Sequence, residues 1–230
     1  MGTEESHEIP RLLELNSASN VLEIGCGSGC YALYLAEKSG CRVIGVDINK
    51  EGIRNANELA RTNNLTARAS FQAADVSQRL SFADRTFDAV YANDVLCHIP
   101  GRPAVLREMF RVLKPGGRML FSDALVLAGL ISDEEVARRS SIGSYVFVPR
   151  GENEVLIAQS GFRLLESRDT TQNAAQIAKR RHDARARRKA DLVAIEGETN
   201  FLGLQDFLAC VHTLTSERRL LRFLYIARMP

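Results

Sequence analysis

The sequence predicts an α/β fold built on a doubly wound, mostly parallel sheet. Residues 20–123 alternate between strand and helix patterns five times, which is typical of a parallel sheet with helices on both faces. Two further features mark a ligand-binding edge: a glycine-rich turn after the first strand and an acid at the end of the second. With 230 residues, of which 45% are hydrophobic, the chain is long enough for one such domain with a sizeable core.

The glycine-rich turn is G-C-G-S-G at residues 25–29, between the apolar run 21–24 and a helical pattern. Glycines let the backbone adopt positive φ and let a ligand approach without meeting a Cβ atom. The N-terminus of the helix that follows offers free N–H groups. Taken alone, the pattern also fits an ordinary turn after a buried strand.

The acid is Asp47, which ends the predicted strand 42–46 and lies 18 residues beyond Gly29. In nucleotide-binding folds, an acid about 20 residues after the glycine turn accepts hydrogen bonds from ribose hydroxyls. Asp75 follows the predicted strand 67–73 and is placed to meet the edge of an adenine. These positions predict an adenosine-containing cofactor without deciding which one.

The remaining patterns complete the predicted fold. We expect helices at 8–15, 29–38, 50–64, 102–113, 153–160, 172–195 and around 204–214, and further strands at 87–92, 118–123, 162–167 and 222–227. A capping-box sequence at 132–135 predicts another helix start, and residues 145–149 are expected to be extended. The strand–helix alternation stops after Asp123.

The later motifs indicate which adenosine-containing cofactor the chain binds. V-L-E-I-G-C-G-S-G at 21–29, F-D-A-V at 87–90 and R-V-L-K-P-G-G at 111–117 occur in order with Asp47 and Asp75. In this arrangement residues 20–125 resemble the class I S-adenosylmethionine (SAM)-dependent methyltransferases. The alternative, a nicotinamide dehydrogenase, lacks the K-P-G-G turn. The resemblance implies a single domain over residues 1–230 with a seven-stranded sheet of order 3-2-1-4-5-7-6. Insertions at about 126–152 and 171–216 would cover the substrate at the carboxyl edge.

The resemblance also implies a set of SAM-binding residues: Glu23, Gly25, Cys26, Gly27, Gly29, Asp47, Ile48, Asp75, Val76 and Asn93. The turn would contact the methionine moiety through its backbone, and Glu23 would organise the loop or meet the ammonium group through water. Asp47 would hold the ribose hydroxyls, Asp75 would accept from the adenine amino group, and Asn93 would line the sulfonium side. Ile48 and Val76 would lie against the adenine.

SAM carries an activated methyl group, so the protein mainly positions two reactants and excludes water. No metal is expected, and a general base is needed only for a protonated acceptor. His98 is the candidate base or orienting donor, or else a helix residue tied to the backbone. Tyr145, Arg150 and Asp123 are weaker substrate candidates. Tyr145 could simply pack, and Arg150 could either pair with a substrate carboxylate or lie in solvent.

Composition restricts the partners. The net charge is +2, which gives no global field for nucleic acid or a membrane surface. Five cysteines without CxxC spacing suit reduced thiols in the cytoplasm, and there is no long apolar span.

The basic run 179–189 could bind RNA or form a solvated helix face. Only a short segment precedes the first strand, so the cofactor lid would be minimal or supplied from elsewhere, which allows a homodimer.

The sequence therefore predicts a cytoplasmic SAM-dependent methyltransferase that acts on a small molecule, without choosing among N-, O- and C-methylation. Two alternatives stay open. One is an RNA methyltransferase that uses the basic run 179–189. The other is a non-catalytic accessory subunit that binds SAM but has lost its acceptor pocket.

Overall fold

An eight-stranded, mostly parallel sheet forms the centre of the computed structural model, which describes residues 2–230. Its strands are β1 (Asn20–Ile24), β2 (Arg42–Asp47), β3 (Ala69–Ala73), β4 (Phe87–Asn93), β5 (Leu113–Leu127), β6 (Val148–Pro149), β7 (Arg163–Asp169) and β8 (Leu220–Arg228). The helices are α1 (Thr3–Leu12), α2 (Cys30–Ser39), α3 (Lys50–Thr62), α4 (Arg102–Val112), α5 (Asp133–Arg139), α6 (Glu152–Gln159), α7 (Thr171–Arg187), α8 (Lys189–Glu196) and α9 (Glu198–Ser216), with a 3₁₀ turn at Leu96–His98.

The strand order is β3-β2-β1-β4-β5-β8-β7, and the two-residue β6 pairs with β5 off this path. The strands β1 to β5 on this path run parallel, whereas β8 pairs antiparallel with both β5 and β7. Without β6, this is the predicted order 3-2-1-4-5-7-6 with its antiparallel hairpin, so the predicted fold is confirmed.

Both faces of the sheet are apolar because alternate residues of each central strand point to opposite sides. In β1, Leu22 and Ile24 pack in one hydrophobic cluster, while Val21 belongs to the cluster on the other face. In β4, Val90 and Tyr91 divide between the two clusters in the same way. Helices cover both faces, which explains the near-continuous apolar runs in the sequence.

Three elements differ from the prediction. The single helix expected at 172–195 is two helices, α7 and α8, which are separated at Arg188. The N-terminal helix was expected at 8–15, but α1 spans Thr3–Leu12 and carries Glu4 and Glu5 in its first turn, where acids favour a helix start. β5 is also longer than the predicted 118–123. The chain pairs with β4 already at Leu113 and resumes at Arg118 after a register shift. The K-P-G-G segment is therefore an irregularity within the strand pairing, with Gly116 at a φ of 81°.

The two insertions meet above the carboxyl edge. The first includes α5 and β6, and the second consists of α7, α8 and α9. The capping box predicted at the start of α5 is present, formed by Ser132 and Glu135. A third hydrophobic cluster joins Cys97, beside the end of β4, to Cys210 and Leu214 of α9, with Tyr145 packed against it. No helix within residues 2–230 is long and apolar enough to cross a membrane.

We expect Gly45→Ala to lower the free energy of unfolding by about 1–3 kcal/mol, because overpacking a buried site forces neighbours to move. A Cβ atom at this buried position of β2 would lie 2.5 Å from the Phe71 side chain and 2.8 Å from the Cβ of Cys26. The measurement is urea unfolding followed by circular dichroism.

The matched control is Gly203→Ala in α9, where an added Cβ meets nothing within 4 Å. An exposed helical glycine replaced by alanine should stabilise the protein by about 0.5–1 kcal/mol. Equal stability changes in the two variants would contradict the close packing around Gly45.

Candidate active site

The carboxyl ends of β1, β2, β3 and β4 enclose a cavity of about 520 Å³, a size typical of small-molecule sites. Its lining residues are Gly25, Asp47, Ile48, Ala74, Asp75, Val76, Ser77, Asn93, Asp94, Val95, His98, Ile99 and Pro100. Six of the ten predicted cofactor residues are among them. The other four, Glu23, Cys26, Gly27 and Gly29, are not among the lining residues.

The glycine turn is anchored to β2. The N–H groups of Gly25 and Cys26 donate to the carbonyl of Val46, at 2.8 and 3.1 Å. Gly25 has a φ of 69°, and a Cβ there would lie 2.3 Å from the side chain of Val95, so both the backbone and the close approach require glycine. Gly29, at a φ of 77°, is the N-cap residue of α2.

Asp47 fixes the turn as well as lining the cavity. Its Oδ2 accepts from the N–H of Gly27 at 2.8 Å, and its Oδ1 accepts from the N–H of Asn49 at 2.8 Å. Each carboxylate oxygen retains a second lone pair for a ligand hydroxyl. The sequence pointed to this acid by its spacing, but it did not indicate the bond to Gly27.

The neighbouring positions suit a flat apolar ligand with polar edges. Ile48 is 73% exposed, so its apolar side chain is open to a ligand in the cavity, and Val76, which also lines the cavity, is buried. Asp75 accepts from both the hydroxyl and the backbone N–H of Ser77 at 2.7 and 2.9 Å. These bonds, the hydroxyl first, hold the pKa of Asp75 below its ordinary value, so its carboxylate is charged and available as an acceptor.

Glu23 lies under the glycine turn. Its side chain is buried, and its Oε2 has no hydrogen-bond partner. Burial raises the pKa of Glu23 to about 8, with a smaller contribution from the charge of Asp47, although a backbone hydrogen bond from Ala32 opposes the shift. The same burial raises the pKa of the Cys26 thiol to about 12, so Cys26 is not a nucleophile at neutral pH.

A buried arginine organises the far end of the cavity. Arg222 of β8 donates through Nη1 to both carboxylate oxygens of Glu5 in α1, at 2.8 and 3.0 Å. Its Nε donates to Asp94 at 3.0 and 3.1 Å, and its Nη2 donates to the side-chain oxygen of Asn93 at 3.1 Å. Burial alone would raise the pKa of Asp94, but the charge of Arg222 and the hydrogen bonds from Arg222 and Ser122 contribute to a combined effect that lowers the pKa.

His98 lies beyond Asn93 in the 3₁₀ turn and is exposed to the cavity. Its Nδ1 is 3.0 Å from the carbonyl oxygen of Ser144. Because a carbonyl only accepts, Nδ1 carries the proton and Nε2 of the neutral ring keeps its lone pair. The ring of Tyr145 lies against that of His98, with centroids 4.5 Å apart. The structure thus brings two of the predicted acceptor-side residues together.

Asp123 does not line this cavity, which corrects the expectation from the sequence. It is fully buried and pairs with Arg102, and Asn153 also donates to its Oδ2 at 3.0 Å. Because Arg102 and Asn153 already bond its carboxylate, Asp123 links α4, β5 and α6 and does not face a ligand. Arg150 is also outside the lining: it is exposed, and its guanidinium lies 6.0 Å from the ring centroid of Phe223.

Sequence reasoning missed Asp94, Arg222 and Glu5. Asp94 had a usable signal, because it follows Asn93 at the same strand end and lines the cavity. Its φ of 53° is uncommon for a residue other than glycine and often marks functional sites. Arg222 and Glu5 gave no signal, since they are 217 positions apart in the chain.

A family model for a methyltransferase domain matches residues 15–181. This range covers well over half of the chain, including the glycine turn, Asp47, Asp75 and His98. The chain therefore belongs to this family of methyltransferase domains.

Several relatives are named methyltransferases. Methyltransferase GfsG of Streptomyces halstedii is 35% identical over 136 residues, which cover 59% of this chain and 48% of the relative. The 27-O-demethylrifamycin SV methyltransferase of Amycolatopsis mediterranei is 32% identical over 164 residues, with coverage of 70% and 60%. The chain thus spans about half to three fifths of the length of these relatives.

The fold also matches a solved structure. Phosphoethanolamine N-methyltransferase 2 of Haemonchus contortus, in complex with phosphomonomethylethanolamine and S-adenosylhomocysteine, superimposes with a TM-score of 0.90. The match covers 100% of this chain and 53% of that chain at 22% identity. At this identity the likeness establishes the shared fold.

Glu23 gives a pH-dependent prediction. Its pKa in the folded protein is raised from 4.5 to about 8, so between these values the native protein keeps a proton that the unfolded chain releases. The unfolding free energy of the wild type should therefore fall relative to Glu23→Gln as pH rises, by about 1.4 kcal/mol per unit. The difference should level off above a pH of about 8.

The measurement is urea unfolding of the cofactor-free protein from about pH 5 to pH 9. Glu37→Gln on the exposed side of α2 is the matched control and should follow the wild type throughout. A Glu23→Gln difference that stays constant with pH would show that Glu23 is ionised in the native protein.

Proposed function

We propose that the protein transfers the methyl group of SAM to a small-molecule acceptor. The observation that carries this proposal is one cavity in which the glycine turn, Asp47, Asp75 and Asn93 meet at adjoining strand ends. The same cavity extends to His98, so a cofactor half and an acceptor half adjoin. Membership of the methyltransferase-domain family supports this assignment.

The residues present fit SAM. Asp47 has lone pairs for two ribose hydroxyls, the exposed Ile48 can cover an adenine, and Asp75 can accept from its amino group. A Cβ at Gly27 would meet nothing within 4 Å, which leaves open space beside the turn. The unpartnered Oε2 of Glu23 is a buried acceptor beneath the turn, and a bound ammonium group would favour loss of the Glu23 proton. When bound, SAM supplies an electrophilic methyl group on a sulfonium.

The chain itself would position the acceptor and accept the proton that the acceptor loses. We propose that His98 accepts that proton at Nε2, because Ser144 holds the tautomer with Nδ1 protonated. Tyr145 orients the imidazole by ring contact. The insertions 126–152 and 171–216 would exclude water, since their shared cluster lies beside Cys97 and Tyr145.

Charge at the surface favours a small acceptor over RNA. Three of the basic side chains in the run 179–189 pair with acids close by: Lys179 with Asp183, Arg185 with Glu196 and Arg188 with Asp191. This pairing supports a solvated helix face. We also propose a cytoplasmic location, a setting that suits the five free cysteines. A homodimer stays a prediction.

Parallel calorimetric titrations with SAM, S-adenosylhomocysteine and NAD test the cofactor. We expect the first two to bind and NAD not to bind. Asp75→Asn should weaken SAM binding by roughly 5- to 30-fold, because a charged acceptor to the adenine becomes neutral.

Asp191→Asn on the exposed helix α8 is the control and should keep the wild-type affinity. Binding of NAD alone would mean that the site belongs to a dehydrogenase. Binding of SAM without formation of S-adenosylhomocysteine, across a screen of small amines, phenols and carboxylates, would indicate the accessory-subunit alternative.

His98→Ala should reduce turnover by about 10²- to 10⁴-fold, the usual range for loss of a general base, while the affinity for SAM changes little. Turnover is followed as S-adenosylhomocysteine released with an acceptor from the screen. His182→Ala, on the partly exposed face of α7, controls for loss of an imidazole elsewhere. Equal losses of turnover and affinity, or no loss of either, would remove His98 from the proton-transfer step.

A further inference from the structure

Arg139, the last residue of α5, is a buried cation without a counter-ion. The residue is only 5% exposed, and the side-chain atoms Nε and Nη1 make no hydrogen bond. Within residues 2–230, the two other buried arginines are both paired with carboxylates: Arg102 with Asp123, and Arg222 with Glu5 and Asp94. Arg139 is therefore the exception among them.

Two of the three acids on the same helix pair with other arginines, and the third, Asp133, is exposed. Glu134 pairs with Arg138 at 2.6 Å, and Glu135 pairs with Arg219 at 2.6 Å. No carboxylate in the described part of the chain comes within ion-pair distance of Arg139. A buried charge that lacks a partner is strongly unfavourable unless something outside the chain compensates it.

Aromatic rings hold the guanidinium in place. Its Cζ lies 4.5 Å from the ring centroid of Tyr145 and 5.0 Å from that of Phe207 in α9. Cation–π contacts of this kind stabilise the cation, but they leave Nε and Nη1 without acceptors. The rings orient the planar donor fork of the guanidinium, a group from which carboxylates and phosphates accept hydrogen bonds.

Arg139 also lies next to the proposed acceptor site. Tyr145 contacts both Arg139 and His98, with His98 in the cavity wall and its ring centroid 4.5 Å from that of Tyr145. An anion bound by Arg139 would therefore be separated from His98 by the ring of Tyr145.

We propose that Arg139 binds the anionic group of the acceptor, so that the substrate class is a small molecule bearing a carboxylate or a phosphate. This proposal rests on the proposed methyl transfer, because the anionic group is one end of the methyl acceptor. The other end would then extend past Tyr145 towards His98.

The test is thermal unfolding of the full chain in inorganic phosphate, in acetate and in chloride at equal ionic strength. Binding of an anion to the native state raises the melting temperature. We expect phosphate or acetate to raise it by about 2–5 °C relative to chloride in the wild type. A shift with phosphate alone points to a phosphorylated acceptor, and a shift with acetate alone points to a carboxylate.

Arg139→Met should abolish this shift and, in chloride, should be as stable as the wild type or more stable, since it removes an uncompensated buried charge. Arg138→Met, at the exposed neighbouring position, should keep the shift and is the matched control. Arg139→Lys, which retains the charge without the donor fork, should show a reduced shift.

The proposal fails if neither oxyanion shifts the wild type, or if Arg139→Met responds as the wild type does. Marked destabilisation of Arg139→Met in chloride would also overturn it, because the guanidinium would then be a structural packing group. Titration of the same variants with S-adenosylhomocysteine separates the two proposals. Arg139→Met should bind it with unchanged affinity, whereas absence of binding in the wild type would refute the proposed function and leave the anion result valid.

Discussion

The guanidinium of Arg222 connects parts of the chain that meet only at the carboxyl edge of the sheet. It bonds Glu5 of the N-terminal helix, Asn93 and Asp94 at the end of β4, and Thr170 beside the start of α7. A buried ion pair that loses one partner usually costs about 3–5 kcal/mol. The shape of the cavity beyond Asn93 therefore depends on strand β8 and helix α1, although neither lines it.

The order of the sheet was predicted from the family resemblance, whereas the place of the binding residues was predicted from their positions along the chain. The glycine turn, Asp47 and Asp75 each stand immediately after a strand, so spacing along the chain determined their place at one edge. The bonds across that edge were not predictable, since Glu5 and Arg222 are brought together only by the complete fold. The same limit explains Asp123: its position after a strand suggested a ligand contact, but its burial against Arg102 depends on the packing of α4 on the sheet.

The partner that stabilises each charged group at this edge determines whether the group stays available to a ligand. Asp47 and Asp75 are balanced by backbone or hydroxyl donors and stay available to a ligand. Asp123 and Asp94 are balanced by arginines and support the frame. Glu23 lacks a full set of partners and responds by holding its proton. A guanidinium has no such response, because it cannot be deprotonated in proteins. The unpaired charge of Arg139 therefore calls for a counter-ion from outside the chain.

The distribution of thiols has a practical consequence. Cys26, Cys41, Cys97 and Cys210 are buried, and only Cys30 is exposed. Since alkylating reagents need an accessible thiolate, a maleimide dye should attach at a single position. That position is the first residue of α2, directly after the glycine turn, so a fluorophore there would report on events at the turn without any engineered cysteine.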